Sequence, residues 1–90
     1  YPMPALLAWG GANDTYAVLS FEEEMLEMSQ LFQDNGHFVI ECDHGLGHSV
    51  PWGAGEWAQE FLFSYSWGSD QNPFLKSGAL ANFPDYCLVP

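Results

Sequence analysis

The chain has 90 residues, with 12 acidic side chains against one basic residue, Lys76, and a net charge of −11. That balance excludes nucleic acid and anionic membranes as partners, because nothing on the chain can neutralise phosphates. Hydrophobic content of 48% with 17% aromatics excludes disorder and fits one small folded domain or a piece of a larger one.

No apolar run approaches the ~18 residues that a membrane span requires. The opening Tyr1-Pro2-Met3-Pro4 has neither a basic region nor an apolar core, so it reads as no targeting segment. A start on tyrosine without methionine is read as missing upstream sequence. So acidic a chain repels itself when compact, which a salty habitat or a basic partner segment would relieve.

Ala5-Leu6-Leu7-Ala8-Trp9 is a continuous apolar run, the pattern of a strand buried on both faces. Gly10-Gly11-Ala12-Asn13-Asp14 breaks it with turn formers. Ser20-Phe21-Glu22-Glu23 then has the form of a capping box, with Glu22, Glu23 and Glu24 matching the helix dipole in the first turn. Phe21, Met25, Met28 and Phe32, with Leu31 beside them, fall at helical spacing and predict one apolar core stripe. Asn35-Gly36 supplies the stop.

A second strand follows over 38–42. Strand, helix and strand make a βαβ unit, which predicts parallel strands and a right-handed crossover. The loops after both strands then leave the sheet at one edge, where open α/β sheets place their sites. One loop carries Asp14 and the other, Asp43-His44-Gly45-Leu46-Gly47-His48-Ser49-Val50-Pro51, carries two histidines. Two intervening glycines disfavour a helix there at about 1 kcal/mol each, so the segment reads as a loop that presents imidazole.

Downstream, Glu56 to Phe63 reads as a helix packing Trp57, Phe61 and Leu62 inward and fraying near Tyr65 to Gly68. Residues 69–90 read as an irregular tail, and 1–68 as the domain proper. Two parallel strands and two helices leave part of their own sheet uncovered, so the expected fold is α/β, the C-terminal βαβα portion of a larger parallel sheet.

A Ser-His-Asp hydrolase needs a carboxylate on one imidazole nitrogen, while the other nitrogen takes the proton of the nucleophile. Asp14 and His48 stand on neighbouring loops, in the order found when a serine elbow lies upstream. From about residue 4 to 63, the chain resembles the C-terminal portion of secreted α/β-hydrolases of the polyhydroxyalkanoate-depolymerase and feruloyl-esterase type. The resemblance implies a serine hydrolase acting on small or polymeric carboxylic esters, without a cofactor. Asp14 would be the triad acid and His48, followed by Pro51-Trp52 and a final helix, the triad base. His44 would be an auxiliary or alternative base. It also implies an extracellular or periplasmic location and an upstream part of the same domain as partner. No Gly-x-Ser-x-Gly occurs in the 90 residues, so nucleophile and oxyanion loop would both come from upstream.

Plainer roles stand beside these. Asp14, after Asn13, can be a turn residue capping its own backbone, and His48 a satisfied loop histidine. His44 lies close to the strand end, which favours a structural role, and His37 opens a strand and should be exposed. Trp52 and Trp57 are candidates to line a substrate pocket, with core packing the expected role of Trp57. Glu41, Asp43, His44 and His48 could form a zinc set, but catalytic histidine pairs of this spacing sit on a helix, so no metal is assigned. A non-catalytic α/β module is the remaining alternative.

Cys42 and Cys87 have no metal spacing and fit either free thiols or one bridge. A bridge is expected, with Phe83-Pro84-Asp85-Tyr86 docking the tail beside the second strand. It would close a loop of 46 residues (42 to 87 inclusive), worth up to roughly 4 kcal/mol. It would also imply an oxidising compartment.

Overall fold

A computed structural model describes residues 3–64, 80 and 82–90. Its centre is the pair β1 (Pro4–Trp9) and β4 (Phe38–Asp43), which run parallel from Pro4 opposite Phe38 to Trp9 opposite Asp43. Between them lie β2 (Thr15–Tyr16), β3 (Leu19–Ser20) and the helix α1 (Phe21–Asp34). The helix α2 (Ala54–Ser64) and the strand β5 (Cys87–Leu88) follow.

The start of α1 is where the capping pattern places it. Ser20 is extended and its hydroxyl accepts from the Glu23 N–H at 3.4 Å, satisfying one of the donors that a helix start leaves free. At the other end Asn35 and Gly36 turn the chain, and the His37 N–H donates back to Phe32 O at 2.9 Å.

Alternation along β1 and β4 divides the core between two faces. Leu7, Trp9 and Val39 face α1 and pack with Phe21, Met25 and Phe32. Ile40 and Cys42 face the other way, onto Ala54, Trp57 and Phe61 of α2 and onto Phe83 and Cys87. The sheet therefore has a layer on each side. The expectation of an uncovered face is corrected here: the chain after β4 returns across the second face and supplies its own cover.

The sheet has the order β1-β4-β5 and is mixed, because β5 runs antiparallel to β4 and pairs Cys87 with Cys42. The expected purely parallel sheet and wholly irregular tail are both revised by this strand. Cys42 and Cys87 form a disulfide. With the Asp43 N–H donating to Tyr86 O at 3.3 Å, that bond holds the tail along β4. The expected fraying at 65–68 and the segment 69–79 lie outside the described residues.

Both helices bury a stripe different from the expected one. In α1 the inward residues are Phe21, Met25, Ser29 and Phe32, while Met28 and Leu31 are exposed. Ser29 is almost fully buried and its hydroxyl donates to Glu41 of β4, with the Gln33 amide donating to Ser29 Oγ at 2.9 Å. A small polar residue lets the helix approach the strand and satisfies a half-buried carboxylate there. In α2, which begins two residues earlier than expected, Ala54, Trp57 and Phe61 point inward and Leu62 is exposed.

Candidate functional site

Both loops that follow the parallel strands are tied together by backbone bonds that continue the ladder past the strand ends. The His44 N–H donates to Trp9 O at 2.9 Å and the Gly47 N–H to Gly10 O at 2.8 Å. Gly10 is the keystone. A Cβ built there would lie 1.8 Å from the Gly47 carbonyl oxygen, so only glycine allows this approach. Gly47 has φ 75°, and the chain turns there to deliver His48.

Asp14 arrives from the other loop. Its N–H donates to Gly11 O at 3.1 Å, closing a tight turn, and its carbonyl accepts from the Phe21 N–H at 2.9 Å, joining the turn to the start of α1. In between, β2 and β3 form a short antiparallel hairpin whose tip includes Ala17 with φ 54°. That hairpin has no Asn-Gly or Asp-Gly signal in the sequence, which is why the segment is silent to pattern reading.

The buried Asp14 carboxylate is shared between the two loops. Oδ2 accepts from the Gly10 N–H at 2.8 Å and Oδ1 lies 2.9 Å from His48 Nδ1. Burial pushes this carboxyl upward. The Gly10 N–H, the His48 hydrogen bond and the charges of His48 and His44 act the other way and hold it below its ordinary 3.8. An ionised carboxylate only accepts hydrogen bonds, so the proton of neutral His48 resides on Nδ1 and Nε2 carries the lone pair. His48 stacks on Phe21, with ring centroids 4.8 Å apart and planes 21° from parallel.

His44 is placed differently. Its Nδ1 accepts from the Leu46 N–H at 3.2 Å and its ring meets the edge of Tyr86 at 6.3 Å, so it braces the loop against the disulfide-bound tail. His37, at the opposite end of the sheet, accepts from the Met3 N–H at 2.9 Å. Being half-buried, it is less open than expected.

A cleft of about 460 Å³ opens beside the pair. Trp9, Phe21, Met25 and Trp57 supply apolar walls, and Asp14, His44, His48 and Ser49 the polar side. Trp52, a candidate lining residue by sequence, is instead fully exposed and takes no part in these walls. The turn at Gly53 swings it outward, and Trp57, one helical turn into α2, lines the cleft while also packing in the core. The sequence patterns place Trp9 in a strand and Phe21 in the core. Their place on the cleft follows from the sheet edge and not from any local signal.

The four residues of the alternative zinc set are dispersed. Glu41 bonds Ser29 on the α1 face, Asp43 Oδ1 accepts from the Gly45 N–H, and His44 and His48 have the partners given above. Among the described residues no group of His, Cys, Asp and Glu is arranged to hold a metal ion. No described helix is long and apolar enough to cross a membrane. No protein-family model, curated protein or solved structure matches the chain.

Proposed function

We propose that the chain is the C-terminal part of a serine hydrolase of α/β-hydrolase type acting on carboxylic esters, with Asp14 as acid and His48 as base. The observation that carries this reading is the 2.9 Å contact of Asp14 Oδ1 with His48 Nδ1 at the carboxyl ends of two parallel strands. In that arrangement Asp14 holds the tautomer, and His48 Nε2 takes the proton of a serine hydroxyl as the oxygen attacks the ester carbonyl. The imidazolium then returns the proton to the leaving alcohol, and the Asp14 carboxylate stabilises its charge meanwhile. The serine and the donors for the oxyanion would come from an upstream part of the same domain. Trp9, Phe21, Met25 and Trp57 around the cleft favour an ester with an apolar or aromatic part, small or at the end of a polymer. The disulfide favours an extracellular or periplasmic setting.

The test has two arms. Coding sequence upstream of Tyr1 should contain Gly-x-Ser-x-Gly between a strand and a helix; without it, the non-catalytic module is the better reading. In the complete enzyme, His48→Ala should lower kcat on a short-chain aryl ester by roughly four orders of magnitude or more, with KM little changed. His44→Ala should retain substantial turnover or lose stability instead. A dead His44→Ala enzyme beside a near-normal His48→Ala enzyme would reverse the assignment of the base.

A further inference from the structure

We infer that Phe21 is the positioning residue of His48, a flat plate that sets the plane of the imidazole; its place in catalysis rests on His48 being the base. The His48 side chain is 65% exposed, so packing from all sides does not hold it. Its hydrogen bond to Asp14 fixes one nitrogen but leaves the ring free to swing about the N–H···O axis. Phe21, stacked at 4.8 Å and 21°, removes that freedom, and together the two contacts aim Nε2.

Phe21 is itself held at several points. It is the first residue of α1, behind the Ser20 cap, and its N–H donates to the Asp14 carbonyl at 2.9 Å. Its ring packs with the buried cluster of Leu7, Trp9 and Val39. One residue thus touches both members of the pair, by backbone to Asp14 and by ring face to His48.

The experiment uses the 90-residue chain and needs no turnover. In NMR spectra of the wild type, the His48 Nδ1 proton should appear at low field, exchange slowly with water, and belong to a ring shifted upfield by Phe21. Phe21→Leu should speed that exchange tenfold or more and abolish the upfield shift, and Phe21→Tyr should restore both. Phe21→Met fills similar space without a ring and should behave as Phe21→Leu does, which keeps the test open if the leucine variant unfolds. Phe32→Leu thins the same cluster away from His48 and should change neither signal. Slow exchange persisting in the leucine and methionine variants, equal loss in Phe32→Leu, or fast exchange already in the wild type would each overturn the proposal. An inactive parent enzyme with these NMR results intact would instead remove the esterase reading and leave the positioning role standing.

Discussion

At Asp14, one carboxylate joins both loops and titrates in a way that folding controls. Its folded-state pKa lies below the ordinary 3.8, so its contribution to stability is present above that value and is lost as pH falls through the depressed one. The melting temperature of the wild type should therefore drop on acidification below about pH 4 more steeply than that of Asp14→Asn. Equal slopes for the two proteins would count against an ionised, loop-bridging Asp14. Gly10 offers a steric counterpart. Gly10→Ala forces a Cβ to 1.8 Å from the Gly47 oxygen and must part the loops. It should cost about 1–3 kcal/mol or more and erase the slowly exchanging His48 proton, whereas Gly55→Ala, with open space at its Cβ, should not.

At the scale of the helix, the buried stripe of α1 is decided by what β4 presents. Glu41 projects on the α1 face, and a hydroxyl at Ser29 satisfies it where a thioether would not. Ser29→Ala should cost about 1–3 kcal/mol, because the carboxylate loses its partner in a part-buried site. Met28→Ala, on the more exposed side, should stay within about 0.5 kcal/mol. Urea midpoints for the two variants check this, and a larger loss at Met28 would restore the stripe expected from periodicity. The apolar spacing indicates a helix, and the Ser20 capping box places its start correctly. It misjudged the buried face by about one residue, since Ser29 counts as polar in the pattern and as core in the packed structure.

Across the whole molecule, the disulfide links the site to the tail. Cys42 lies two residues before His44, and Cys87 follows Tyr86, whose ring meets both His44 and Trp57. Replacing both cysteines with serine should lower stability by about 2–5 kcal/mol and loosen the Tyr86 contacts. Calorimetry of the wild type with and without a reductant measures the same loss. An unchanged melting temperature on full reduction would show that strand pairing and the aromatic cluster hold the tail unaided.

By itself the sequence determined the two parallel strands, the capped helix between them and the loops that carry Asp14 and His48 to one edge. These follow from short-range rules: apolar runs, a capping serine, glycine punctuation and the topology of a strand–helix–strand unit. Tertiary structure alone decided the hairpin at Thr15–Ser20, the antiparallel β5, the exposure of Trp52 and the burial of Ser29. It also decided that Phe21 lies against His48, although 27 positions separate them (48 − 21). The antiparallel β5, the burial of Ser29 and the Phe21–His48 stack each depend on a partner distant along the chain, while the hairpin is local but lacks a turn signal. A periodic pattern records which residues share a face, not what that face will meet.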